Sequence, residues 1–198
     1  MLSEVLGLGK GLREVRVKNV MSYPLITLCA DAEIKETARM MMQKKGRLAV
    51  FDCGDLVGIV TASDLIKSLP EAPETEVKVD DSMTKQVRSV DEKTSVATVV
   101  EIMGKRRIGS VIVTRKGEPY GIFTERDLLS TFLTIGKPLI NDLSEEAKSP
   151  LITAEVGTSI HQTAVIMTIN HIRRLPITKK AKIVGIITAR DLVEAYTK

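Results

Sequence analysis

At 198 residues the chain can bury a real core, as one domain or as small units packed together. Hydrophobic residues make up 43% and charged residues 27%, a soluble globular balance; with no Trp and 3% aromatics, stacking platforms for single-stranded nucleic acid are disfavoured. The net charge of +4 is spread among many acids, so charge alone argues only weakly for a nucleic-acid partner.

Cys29 and Cys53 lack metal or redox spacing, which points to a reduced, cytoplasmic setting. No segment reads as a membrane span or signal peptide. Residues 1–15 carry Leu2, Val5 and Leu6 among three glycines and read as an N-terminal arm or frayed end.

A first repeat is expected over residues 16–70, led in by Val17–Met21. A short strand follows at Pro24–Leu28. A helix opened by Asp31 carries the apolar stripe Ile34, Ala38, Met41 and Met42 and stops at Gly46. Two strands, Arg47–Phe51 and Leu56–Val60, flank a tight turn at Cys53-Gly54-Asp55, and a second helix runs from Thr61 to Leu69 before Pro70. The second repeat, residues 79–133, has a lead-in at Val79–Met83 and a strand at Gln86–Val90. Its helix stripe is Val96, Val99, Val100 and Met103; strands Ser110–Thr114 and Pro119–Phe123 and a helix Thr124–Phe132 follow. The third, residues 138–198, has a longer, irregular lead-in at Ile140–Ser149 and a strand at Pro150–Ala154. The stripe Ile160, Ala164 and Met167, strands Leu175–Thr178 and Ile183–Ile187, and a helix Thr188–Tyr196 complete it. Each repeat therefore reads β-α-β-β-α, a tandem α/β (α+β) array.

One octamer fixes this register. It reads Gly58-Ile59-Val60-Thr61-Ala62-Ser63-Asp64-Leu65, then Gly121-Ile122-Phe123-Thr124-Glu125-Arg126-Asp127-Leu128, then Gly185-Ile186-Ile187-Thr188-Ala189-Arg190-Asp191-Leu192. The aspartates are 63 and then 64 residues apart. The threonine suits a helix N-cap, and an acid three residues on can reach back to the capping residue's own N–H. A helix N-terminus also attracts anions, so the same residues suit a ligand site. Met40-Met41-Met42 reads as helix core, not a metal site. His161 and His171 have no cluster of partners at ligand spacing, so no metal is expected. No nucleophile–base pair is evident.

The octamers, with Val20-Met21, Ser82-Met83, Ile108-Gly109-Ser110-Val111 and Arg173-Arg174-Leu175-Pro176, resemble the CBS-domain family, named for cystathionine β-synthase, over about Val15 to Lys198. The resemblance implies Bateman modules with pseudo-twofold symmetry. Their clefts take AMP, ADP or ATP, sometimes S-adenosylmethionine or dinucleotides, with no other cofactor and no catalysis. The family's Asp holds ribose hydroxyls, the Thr and the residue before the Asp face phosphate, and the first and central strands hold adenine. That nominates Thr124, Arg126 and Asp127 with Arg88, Ser89, Ile108 and Gly109. It also nominates Thr188, Arg190 and Asp191 with Ile152, Thr153, Arg173, Arg174 and Pro176. Guanidinium forks, with Arg106 and Arg107 nearby, suit phosphate oxygens. The first repeat has Ser63 in place of arginine, so Thr61 and Asp64 form a weaker candidate.

Three repeats cannot pair off within one chain. The expectation is that the second and third form the ligand module and the first pairs in another subunit, giving a homodimer; pairing of the first with the second is the rival. The expected function is a regulatory adenine-nucleotide sensor acting on a partner protein. The alternatives are a ligand-free oligomerisation module and a nucleic-acid-associated regulator.

Overall fold

The computed structural model describes residues 16–19, 21–44, 47–68, 76–135 and 141–197. The proposed N-terminal arm and the helix stops at Gly46 and Pro70 lie outside these residues. The first repeat comprises β1 (Thr27–Cys29), α1 (Ile34–Lys44), β2 (Arg47–Asp52), β3 (Asp55–Thr61) and α2 (Ala62–Ser68). The second comprises β4 (Ser89–Asp91), α3 (Val96–Arg106), β5 (Ser110–Arg115), β6 (Glu118–Thr124) and α4 (Glu125–Ile135). A short helix α5 (Leu143–Glu146) belongs to the third lead-in and is capped by Asp142. The third repeat then has β7 (Ala154–Glu155), α6 (Ile160–Ile169), β8 (Arg174–Lys179), β9 (Lys182–Thr188) and α7 (Ala189–Thr197).

Each repeat makes its own three-stranded sheet, in sequence order. The first two strands are parallel and so need the intervening helix as a crossover; the last two are antiparallel and need only a tight turn. The turns carry positive φ at two consecutive residues, Cys53-Gly54, Lys116-Gly117 and Lys180-Ala181, as hairpin turns that follow strand twist require. The first strands start later than the composition predicts. Ile26 and Arg88 each give one carbonyl to the central strand, 2.9 Å from the Ala49 and Ile112 amides, and the chain upstream leaves the sheet. In the third repeat Pro176 stands opposite and has no N–H, so β7 shrinks to two residues.

The described residues form two compact units. One takes those of Met1–Ser22 with Val87–Ile152; the other takes Tyr23–Gln86 with Thr153–Lys198. In the first unit Val96, Val99 and Met103 of α3 pack with Val111, Val113, Phe123 and Leu128. The buried Leu143, from the third repeat's lead-in, completes that core. In the second unit α1 and α2 of the first repeat pack against α7 of the third, and α2 also meets α6. The first repeat's helices therefore have a mate within the chain, beside the one expected for its sheet in another subunit. Its helical face, with Ala38, Met41, Leu65 and Ile66 buried, is covered within the chain by the third repeat, a pairing neither expected scheme included. One member of the predicted stripe also departs: Ile34 is 55% exposed, whereas its counterparts Val96 and Ile160 are fully buried.

The lead-ins explain that difference. Lead-in residues 77–84 of the second repeat lie on the third repeat. The Ile160 amide donates to the Val77 carbonyl (3.0 Å), the Val79 amide to the Thr158 carbonyl (3.0 Å), and the Gly157 amide to Asp80 Oδ2 (2.6 Å). Thr84 then exchanges two 2.9 Å bonds with Ile186 at the free edge of β9. Reciprocally, the third lead-in lies on the second repeat. Val96 donates to Asn141 (2.9 Å), Leu143 to Thr94 (3.2 Å), and Lys148 exchanges bonds of 2.9 and 3.0 Å with Ile122 on β6. Unpaired strand edges invite foreign pairing, and here a lead-in covers those of β6 and β9. Gly121 and Gly185 are required at these crossings. A Cβ on Gly121 would stand 2.6 Å from the Lys148 carbonyl oxygen, and one on Gly185 would collide with the Met83 thioether.

Candidate functional site

Each Thr-x-x-Asp segment stands where the outer strand ends and the last helix begins. Thr61, Thr124 and Thr188 pair with Arg47, Ser110 and Arg174, at the start of the central strands. The acid half of the expected capping pair forms in all three. The amides of Thr61, Thr124 and Thr188 donate to Asp64, Asp127 and Asp191 at 3.0, 2.9 and 2.8 Å. The threonine hydroxyls donate to the same Oδ2 atoms at 2.7, 2.6 and 2.7 Å. In the last two repeats the aspartate amide also points back at the hydroxyl, at 3.4 and 3.3 Å. Both threonine donors therefore use Oδ2, and a ligand hydroxyl has to approach Oδ1.

The Oδ1 atoms differ. Asp127 is 6% exposed, and its Oδ1 lies 3.2 Å from Lys148 Nζ. Asp64 Oδ1 lies 3.2 Å from Lys67 Nζ. The Thr61 hydroxyl bond, with help from Lys67 and the Thr61 amide, lowers the Asp64 carboxyl below its ordinary value. Asp191 is half-buried, and the bonds that hold it are made through Oδ2 and its own amide.

The fold gathers the second repeat's nominees at one end of its sheet. The Gly109 carbonyl accepts from the Glu125 amide (3.2 Å), the Ile108 amide closes α3 on the Met103 carbonyl (3.0 Å), and Ser89 stands opposite Ile112 with Arg88 just before it. Arg88, Ser89, Arg106, Arg107 and Arg126 are exposed. In the third repeat the Arg173 carbonyl accepts from the Ala189 amide (3.0 Å), and Arg174 pairs with Thr188. Thr153 precedes β7, whose Ala154 pairs with Ile177, so it stands beside Pro176; Ile152 closes the other unit. Arg190 is not poised at the motif alone: its guanidinium donates to the Met42 carbonyl of the first repeat at 3.1 Å. Sequence reasoning missed Lys148 and the Met42 carbonyl, because both arrive from segments remote from the motif. Only Lys148 had a signal, its place in the third lead-in.

The CBS-domain family profile matches the chain three times, at residues 17–71, 77–134 and 140–198. The chain belongs to the CBS-domain family. Over 194 residues it is 26% identical to protein MJ1225 of Methanocaldococcus jannaschii, covering 91% of this chain and 69% of that one. The crystal structure of MJ1225, described as a proposed archaeal homologue of g-AMPK, superposes with a TM-score of 0.77 at 23% identity over 91% of this chain and 70% of that one. A Methanopyrus kandleri protein is 40% identical over 103 residues, 49% of this chain and 53% of its own length, so the match spans about half of that relative. Homoserine O-acetyltransferase of Methanosphaera stadtmanae is 37% identical over 53% of this chain, a stretch that makes up only 21% of the enzyme. The CBS repeats thus point to a regulatory module rather than a catalytic one. Among the described residues no His, Cys, Asp and Glu group gathers at a metal geometry, and no helix is long and apolar enough to cross a membrane.

Proposed function

We propose that the protein is a regulatory sensor of adenine nucleotides that signals to a partner protein through the packing of its CBS repeats. The observation that carries this reading is the Thr-x-Arg-Asp start of α4 and α7. There a carboxylate fixed through Oδ2 keeps its orientation for a ribose diol, and an arginine stands one residue away for phosphate. The description of MJ1225 as a proposed archaeal homologue of g-AMPK supports this reading. In this reading Thr124, Arg126 and Asp127, with Arg88, Ser89, Ile108 and Gly109, serve one ligand group. Thr188, Arg190 and Asp191, with Thr153, Arg173, Arg174 and Pro176, serve another. AMP, ADP or ATP would shift the folded state by mass action, and a ligand-selective change in packing would be read by the partner. The reading includes a homodimer through the first repeat. The test is thermal unfolding of ligand-free protein with each nucleotide at millimolar concentration. A rise in Tm with at least one is expected; no rise with AMP, ADP or ATP overturns the proposal.

A further inference from the structure

The first repeat has a vacant dock and an unused plug, and they match. The second and third repeats show what the plug does. A turn at Val79–Asp81 closes with the Met83 amide on the Val79 carbonyl at 2.8 Å; Val79 is buried on the third repeat, and Met83 lies over Gly185. The first lead-in has the same shape, a turn at Val17–Asn19 with the Met21 amide 2.9 Å from the Val17 carbonyl. Register places Val17 at the Val79 position, Met21 at Met83 and Ser22 at Thr84. Yet Val17 is 78% exposed and Met21 57%.

The dock is equally bare. Ile59 corresponds to Ile122 and Ile186, the residues that the other lead-ins bridge, and it is 64% exposed. Leu56 and Val57 on the same strand, and Ile34 on α1, are exposed as well. A Cβ on Gly58 would meet nothing within 4 Å, although glycine stands there as at the two occupied crossings. The β6 and β9 edges already carry Lys148 and Thr84, so β3 is the edge left for the first lead-in.

In the repeats that show it, a lead-in docks on a repeat other than its own. Ser22 is as close in sequence to Thr27 as Thr84 is to Ser89, so the same short connection serves. We infer that the first repeats of two copies of this chain exchange their lead-ins. Val17, Met21 and Ser22 of each copy occupy the notch at Gly58, Ile59 and Ile34 of the other. Charge agrees with this occupant: Lys18 takes the place of Asp80 and Asp31 the place of Gly157, so the contact made there by a carboxylate and an amide becomes an ion pair between copies. Exchange of an identical element makes the interface isologous and closed, as a twofold dimer requires. The inference deepens the homodimer reading and does not depend on nucleotide binding.

The test uses the full chain with Cys29 and Cys53, both exposed and unpaired, replaced by serine. Met21→Cys with Gly58→Cys should give a disulfide-linked dimer under oxidation, resolved on a denaturing gel. A monomer carrying an internal disulfide overturns the inference, because the chain then covers its own notch. Light scattering should give a dimer mass for the unmodified protein and a monomer for Gly58→Leu, with circular dichroism unchanged. Lys18→Asp and Asp31→Lys should each raise the dissociation constant at least tenfold, and the double variant should restore it. A monomeric parent protein defeats both the homodimer reading and the exchange. A dimer untouched by Gly58→Leu and by the charge reversals defeats the exchange alone.

Discussion

The first repeat and its two sisters share one local chemistry and differ in what lies on their sheets. All three close the outer strand onto a helix with Thr-x-x-Asp, and all three keep glycine three residues before the threonine. Around Gly121 and Gly185 the neighbouring chain is packed to contact; around Gly58 it is open. The cap is thus a property of the repeat by itself, whereas burial of the apolar sheet edge is supplied by a segment from elsewhere in sequence. Ile34 and Ile160 occupy the same helix position, yet one is exposed and the other buried, because Val77 and Val79 reach only the second of them.

Alanine at the three glycines sharpens this comparison most. Gly121→Ala should cost about 2–3 kcal/mol, since a carbonyl fixed in a strand bridge has to move. Gly185→Ala should cost less, because a Met side chain can yield, and Gly58→Ala should be close to neutral for the protomer. Denaturant unfolding of the three variants measures the order; an equal loss at Gly58 would erase the distinction between the repeats.

Nucleotide binding comes next. Asp191→Ala should weaken it by about 2 kcal/mol through loss of a charge-assisted acceptor, while Asp64→Ala should leave it nearly unchanged. Asp127→Ala should fall between, because Lys148 already engages the atom a ribose would need. Titration calorimetry on the three decides, and equal losses would place the first repeat in the site.

Smaller still is the cap itself. Thr61→Ala, Thr124→Ala and Thr188→Ala should each cost about 1 kcal/mol, read from thermal unfolding. The smallest effect is acidic. With its folded-state carboxyl lowered by Thr61 and Lys67, Asp64 contributes stability that is present above the unfolded value of about 3.9 and is lost as pH falls through the folded value. The side chain is largely solvated, so the contribution is minor. A carboxyl-carbon NMR titration should give a midpoint below that of a model peptide, and Thr61→Ala should raise it.

The legible part of the molecule was the part fixed by near neighbours. Strand and helix order, the hairpin turns, the stripe at Ala38 and Met41, and the capping pairs all follow from residues within a few positions of each other. The partners of α1 and α2 were not legible, since an apolar helix face says that it is covered without saying by what. Nor was the Lys148 contact to Asp127, or the one from Arg190 to the Met42 carbonyl, 148 residues away. Even β7 turned on a single remote atom, the N–H that Pro176 lacks.

The crossing of lead-ins between the second and third repeats also orders events during synthesis. Asp80 binds an amide 77 residues further on, and Val79 has no pocket until Thr158 has emerged. The Gly121 edge of the second repeat, in turn, stays bare until Lys148 has left the ribosome. The middle of the chain therefore waits for its end with an apolar strand edge open to water, and closing those long loops is slow relative to forming each hairpin. A break between Ile135 and Asn141 would leave both notches without a covalently tethered plug, so the sequence boundary between these two repeats is the wrong place to divide them.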